Sequence, residues 1–273
     1  MTSLVAQVRD ARTLLFAPGN RPDRFARAHE AAPGLVVLDL EDAVAAADKA
    51  AARSHVAEWL AAGHRCAVRI NAPGTECYDE DMRAIAGHDC AVMVPKAEDV
   101  EQLRELAGRL TASSCVIALI ETAAGVLGAR AIASAPGVQR LAFGSFDLAA
   151  QLGVAPGDQL AMASSRSALV LASGAAGIAP PVDGVTGDVH DADVVRDDVE
   201  HARRLGFTGK LCIHPRQVAV AEEALRPTDD EVHWARSVVD TAGTEGVAVL
   251  NGQMIDKPVV DRAHRILRAE DTG

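Results

Sequence analysis

The chain has 273 residues, 27 Lys or Arg against 38 Asp or Glu, a formal charge of −11, and 49% apolar but only 3% aromatic composition. An acidic chain with no basic run does not suit a nucleic-acid binder, which needs clustered Lys and Arg against phosphates, and so few aromatics leave no stacking platform for single strands. No stretch reaches the roughly 18 apolar residues of a membrane span. Arg9, Asp10 and Arg12 precede any long apolar run, so no secretory signal is read and a cytoplasmic location is expected. Cys66, Cys77, Cys90, Cys115 and Cys212 are odd in number and form no CxxC pair, which gives neither a disulfide framework nor a zinc knuckle.

Short β-branched runs alternate with Ala-rich amphipathic stretches along the chain. Strands are predicted to start at Thr13 (TLLFAPG), Leu35 (LVVLDLED), Cys66 (CAVRINAP), Cys90 (CAVMVPKAE), Cys115 (CVIALIET), Val138 (VQRLAFGSFD), Ala179 (APPVDGV) and Lys210 (KLCIHP). The spacing between successive strand centres leaves room for one helix in each interval, including the longest, from Ala142 to Val182. Helices are predicted over Arg21–Ala32, Ala43–Ala62 (ended by Gly63), Asp99–Leu110 and Asp191–Leu205, the last two with acids at their starts and Arg at their ends. Eight such units fit a (β/α)₈ TIM barrel over residues 1–225 better than an open doubly wound sheet, because no Gly-rich phosphate turn follows an early strand. Residues 226–273 form a C-terminal helical extension or lid of the same domain. Thr228 and Glu231 make a capping box for a helix to about Val239, and a turn-rich VLNGQMIDKP segment leads to a last helix, Val259–Ala269.

Active sites of such barrels lie at the C-terminal strand ends. Those ends carry Asn20 and Arg21, Asp39, Glu41 and Asp42, Arg69 and Asn71, Lys96, Glu121, Asp147, Asp183 and His214. Glu121 and Asp147 are read as ending adjacent strands, about 4.8 Å apart. A two-carboxylate site completed by water and substrate oxygens suits Mg²⁺, whereas no helical His pair is available for zinc. Pairing of one acid with Arg69 is the competing reading. Arg69 offers a fork for a substrate carboxylate. The Pro18–Arg24 loop, opening a helix, could hold a phosphorylated cofactor. Lys96 is either an imine-forming lysine or, with Glu98 and Asp99 beside it, a salt-bridged or phosphate-facing one. His214 is open between an acid–base role and a backbone-bonded rim residue.

The stretches LLFAPGNRPDRFARA, LDLEDAVAAADKAAAR, VRINAPGT, MVPKAE, ALIETAAGV, FGSFDLAAQLG, VDGV, GKLCIHPRQV and NGQMIDKP together resemble the citrate lyase β-subunit/malyl-CoA lyase family of the HpcH/HpaI aldolase–citrate lyase superfamily. The resemblance spans nearly the whole chain. It implies a Mg²⁺-dependent barrel lyase that cleaves or forms a 3-hydroxyacyl-CoA (citramalyl-, malyl- or 3-hydroxy-3-methylglutaryl-CoA), giving an acyl-CoA and a keto acid. It also implies a homo-oligomer, trimeric or hexameric. It makes Glu121 and Asp147 the metal ligands and Arg69, with the helix start at Gly125, the carboxylate anchor. Asp39, Glu41 and Asp42 orient groups around the site, and Asn20, Arg21, Lys49 and Lys96 approach the coenzyme A thioester. Since coenzyme A is polyanionic, a local basic rim of Arg21, Arg24, Lys49, Arg53 and Lys96 is expected to hold it. Asp256 matches an acid brought over the site from the extension, in cis or from a neighbouring subunit, and the resemblance favours that catalytic role over the helix cap that the sequence alone also allows. Two other readings are a citryl lyase subunit dependent on carrier and transferase partners, and a CoA-independent aldolase of 4-hydroxy-2-oxo acids.

Overall fold

A computed structural model describes residues 2–242, 248–250 and 253–271; Asn251 and Gly252 of the expected turn-rich segment lie outside them. Among the described residues the chain divides into two compact units, Met1–Ala224 and Leu225–Gly273.

The first unit is a closed barrel of eight parallel strands in sequence order: β1 (Thr13–Pro18), β2 (Leu35–Asp39), β3 (Ala67–Arg69), β4 (Ala91–Val94), β5 (Cys115–Ile120), β6 (Val138–Phe143), β7 (Ala179–Asp183) and β8 (Gly209–Cys212). Thr13 pairs with Lys210 where β1 meets β8 and closes the ring. Continuous apolar strands are what a sheet buried on both faces requires. Leu14, Leu35, Val37, Met93, Ile117, Leu119 and Val182 fill the interior as a packed core.

A helix not anticipated from the sequence, α1 (Leu4–Asp10), precedes β1, with the Ser3 hydroxyl accepting from the Ala6 N–H at its start. Its Val8 joins the interior cluster. Beneath it the fully buried Arg140 of β6 donates to the carbonyls of Val8, Ala11 and Pro180 and to the Thr208 hydroxyl. Seven residues are too few for a helical period to stand out, which is why this element is hard to read.

The helices after the strands are α2 (Phe25–Glu30), α3 (Lys49–Ala61), α4 (Tyr78–Ile85), α5 (Val100–Gly108), α6 (Ala123–Ala133), α7 (Ser145–Leu152), α8 (Gln159–Ala176), α9 (Ala192–Leu205) and α10 (Pro215–Ala224). The first two are shorter than expected because 3₁₀ turns at Pro22–Arg24 and Ala46–Asp48 precede them. Gly63 follows α3 at φ +85°, a left-handed conformation that glycine adopts without a Cβ clash. Asp99 and Asp191 accept from the N–H groups of Glu101 and Asp193 and so start α5 and α9. The β6–β7 interval holds two helices, not one. In β7 the two prolines remove two ladder donors, and the register with β6 slips between Arg140 and Ala142.

The second unit contains α11 (Asp229–Ala242), antiparallel β9 (Ala248–Leu250) and β10 (Gln253–Ile255), and α12 (Lys257–Asp271). The expected capping box is present: Thr228 N–H donates to Glu231 Oε2 at 2.9 Å, and Glu231 N–H donates to Thr228 Oγ1 at 3.2 Å. Ala235, Val238, Ile255 and Ala263 form its own small core. No helix among the described residues is long and apolar enough to cross a membrane.

Candidate active site

A cavity of about 670 Å³ opens at the C-terminal ends of the strands. Its lining includes Asp39, Asp42, Arg69, Glu121, Asp147 and His214 from the expected ring, together with Phe16, Arg24, Arg27, Phe143 and Ser145. Asp39 ends β2 and Arg69 ends β3 in direct register, so the two are placed side by side. Their contact is a fork, with Arg69 Nε donating to Asp39 Oδ1 at 2.8 Å and Nη2 to Oδ2 at 2.7 Å. Asp39 in turn accepts from the N–H groups of Glu41 and Ala43, which shapes the loop after β2. Arg69 also lies 4.9 Å from the Phe16 ring centre. Burial works against its charge, but Asp39, Glu41 and Asp42 raise its pKa on balance.

The remaining Arg69 nitrogen, Nη1, is 3.1 Å from Glu41 Oε2 and 3.7 Å from Asp42. The geometry to Glu41 is not that of a hydrogen bond, and Oε2 stays buried without a hydrogen-bond partner. Burial pushes Glu41 up to about 7, and burial with the negative charges of Glu41 and Asp147 pushes Glu121 up to about 8. A cluster of buried carboxylates short of positive charge fits a bound cation. All the donors are hard oxygens, the preference of Mg²⁺ over zinc. Among the described residues no group of three or more His, Cys, Asp or Glu gathers as a metal site. Of the carboxylates in the lining, Asp39 and Asp42 pair with Arg69 while Glu121 and Asp147 do not, and two carboxylates with water and substrate oxygens are a donor set that Mg²⁺ accepts.

Two placements differ from expectation. Asp147 does not end a strand; it sits in the first turn of α7, four residues past Phe143. Gly125 is not in the cavity lining: its N–H donates to Thr122 Oγ1, and a Cβ there would lie 2.9 Å from the Ala97 carbonyl, so its smallness serves helix packing.

The expected basic rim is largely engaged elsewhere. Lys49 donates to the carbonyls of Leu40 and Glu41 and to Asn71 Oδ1, all within 2.8 Å, and so braces the β2 loop from behind. Asn20 donates to Asp48 and Arg21 pairs with Asp23, while Arg53 pairs with Glu80 and Asp81. Lys96 reaches Glu41 Oε1 at 3.6 Å and is half exposed. The guanidinium groups in the lining besides Arg69 are Arg24 and Arg27. Arg27 lies past the Pro18–Arg24 loop and the strand ends that the sequence singles out, although its i, i+3 spacing from Arg24, across the 3₁₀ turn into α2, lets both face the cavity.

Asp183 and His214 also resolve. Asp183 is wholly buried and paired with Arg166 at 2.8 Å and Lys210 at 3.4 Å. Arg166 packs 5.1 Å from the centre of Phe143, a wall of the cavity. His214 Nδ1 accepts from the Arg216 N–H. In the second unit, Asp256 Oδ1 accepts from the Val259 N–H at 3.3 Å at the start of α12.

A family model described as HpcH/HpaI aldolase/citrate lyase matches residues 12–215. A citrate lyase subunit beta-like protein of Mycobacterium tuberculosis (strain H37Rv) is 40% identical over 262 residues, 93% of each chain. A (3S)-malyl-CoA thioesterase of Cereibacter sphaeroides (strain ATCC 17025) is 32% identical over 96% of this chain and 95% of its own. Among solved structures, CitE from M. tuberculosis in complex with magnesium, acetoacetate and coenzyme A superposes with a TM-score of 0.85 at 38% identity, covering 96% of this chain and 99% of that one.

Proposed function

Because the chain belongs to the HpcH/HpaI aldolase/citrate lyase family, we propose that it is a Mg²⁺-dependent carbon–carbon lyase that cleaves or forms a 3-hydroxyacyl-CoA of the citramalyl-, malyl- or 3-hydroxy-3-methylglutaryl-CoA type. The observation that carries this reading is the gathering of Glu121, Asp147 and Arg69 in one cavity with a surplus of buried carboxylate. The CitE complex with magnesium, acetoacetate and coenzyme A supports it from a relative.

Glu121 and Asp147 would hold Mg²⁺, which when bound supplies Lewis acidity toward the oxygens of a keto acid. Arg69 is the anchor for the substrate carboxylate, its Nη1 lying outside the Asp39 fork. Asp39 fixes the plane of that guanidinium, and Glu41 and Asp42 set the charge around it. Arg24 and Arg27 suit the phosphates of coenzyme A better than Lys49, whose ammonium is engaged in the β2 loop. In the cleavage direction a base removes the proton of the C3 hydroxyl and the C2–C3 bond breaks. The electron pair passes to C2 as a thioester enolate while C3 becomes the keto-acid carbonyl, and protonation at C2 completes the acyl-CoA. Asp256 is the proposed proton shuttle, in cis or from a neighbouring subunit of a trimer or hexamer. Five free cysteines accord with a cytoplasmic location.

The malyl-CoA thioesterase relative favours hydrolysis as the second reading. There water attacks the thioester carbonyl, the C–S bond breaks and coenzyme A leaves as the thiol. One experiment separates the two: a panel of CoA thioesters assayed in parallel for keto acid and for free thiol, with and without EDTA. Keto acid without thiol, abolished by EDTA, is the expected outcome. Free thiol without keto acid establishes hydrolysis, and activity that survives chelation removes the metal from the reading. Mixing Asp256→Asn with Arg69→Ala subunits tests sharing, since recovered turnover requires Asp256 to act across an interface.

A further inference from the structure

Lys96 follows β4 with φ +47°, one of two non-glycine residues in the left-handed region among the described residues. That conformation brings its Cβ too close to its own backbone, so it persists only where the surroundings hold it. What holds it is visible. The next residue, Ala97, donates its N–H to the Leu119 carbonyl at 3.2 Å, and the Ala97 carbonyl is wedged against Gly125 at the start of α6. The turn after β4 is thereby pressed onto the end of β5. There the Lys96 N–H donates to Glu121 Oε1 at 2.9 Å. Gly144 packs against the same side chain. A Cβ at Gly144 would overlap Glu121 Cβ and lie 2.6 Å from Oε2, and the Gly144 N–H is fixed by the Ile120 carbonyl at 2.9 Å.

We propose that Lys96 and Gly144 are positioning residues that clamp Glu121 through their backbones: the strained Lys96 turn delivers an N–H to one carboxylate oxygen, and the bare α-carbon of Gly144 leaves room for the other. The clamp fixes the carboxylate before any ligand arrives, so a cation meets an aimed oxygen instead of a rotating one. The ammonium of Lys96 has a separate part, facing Glu41. This assignment rests on reading Glu121 as a cation ligand and adds how that ligand is aimed.

Mn²⁺ as a probe, titrated into the purified full chain and followed by electron paramagnetic resonance, tests it alongside the thermal midpoint of each variant. Wild type binding Mn²⁺, with binding lost in Asp147→Ala, is the premise; if wild type binds none, the metal reading fails and not the clamp. Lys96→Gly keeps the N–H, relieves the left-handed conformation and removes a positive charge. It is expected to bind Mn²⁺ as well as wild type or more tightly, with an unchanged or raised midpoint. Gly144→Ala is expected to weaken Mn²⁺ by about tenfold, because a methyl group forced into a filled space displaces the carboxylate. A Gly144→Ala variant that binds Mn²⁺ like wild type overturns the clamp. So does a Lys96→Gly variant that loses binding while Lys96→Arg keeps it, since the side chain would then be the operative group. If Gly144→Ala fails to fold, the Lys96→Gly and Lys96→Arg pair decides alone.

Discussion

On the β2–β5 side of the barrel mouth, Asp39, Glu41 and Asp42 share Arg69 and Lys96 with Glu121 buried beside them, whereas at β7 and β8 Asp183 is held by both Arg166 and Lys210, and Lys210 also lies 3.8 Å from Asp198. The two clusters respond to burial in opposite ways. Burial and mutual repulsion raise Glu41 to about 7 and Glu121 to about 8, and an oxygen of Glu41 stays without a hydrogen bond. Burial would raise Asp183 too, but Lys210 and Arg166 bring it below its ordinary value. A satisfied ion cluster supports the fold, and an unsatisfied one awaits a ligand. Charge at a strand end does not separate these cases; the count of partners does.

The sharpest way to break this contrast is Glu121→Gln. Losing the proposed metal ligand is expected to lower turnover by about 10³-fold, several kcal/mol of transition-state stabilisation. The thermal midpoint should hold or rise, since a buried carboxylate in an acidic neighbourhood becomes neutral. A parallel fall in midpoint would make the cluster structural. Asp183→Asn is expected to do the reverse. It takes the paired carboxylate from buried Arg166 and leaves Lys210 with Asp198 at 3.8 Å, at a cost of about 3–5 kcal/mol in unfolding free energy measured by urea titration.

The pH dependence sharpens the comparison. Asp183 is lowered in the folded state relative to 3.8, so its contribution is fully present above pH 3.8 and is lost as pH falls through the folded value. Urea midpoints taken down an acid series should fall more steeply for wild type than for Asp183→Asn. Equal slopes would show that the pair does not couple to folding. The smallest expected effect is that of Arg69→Lys, which keeps the charge but loses the fork to Asp39. KM for the keto acid in the condensation direction should rise by roughly tenfold, the worth of one charged hydrogen bond. An unchanged KM would remove Arg69 as the carboxylate anchor.

Much of the barrel was legible because each strand is a short, mostly apolar run with a polar residue at or shortly past its end, so the residues at the mouth stand out in the sequence. What stayed hidden has physical reasons. Asp147 lies in α7 because Gly144 ends β6 early, and a run such as VQRLAFGSFD does not announce where strand becomes helix. Lys49, Arg53 and Arg21 looked like a rim for an anion, but a sequence shows a charge and not its partner; Asn71, Asp81 and Asp23 already engage them. The left-handed backbone of Lys96 had no signal at all, because that region normally advertises itself through glycine.

Arg140 carries a further consequence, which concerns time. Its guanidinium ties the carbonyls of Val8 and Ala11 to the Pro180 carbonyl and the Thr208 hydroxyl, beside the seam where β1 meets β8. Synthesis at about 5–20 residues per second separates the two sides of that seam by roughly 10–40 s. Throughout that interval β1 has an open edge toward the missing β8, a template for pairing with other chains. The first strand made is among the last to be completed, so any dependence on chaperones should concentrate at this join.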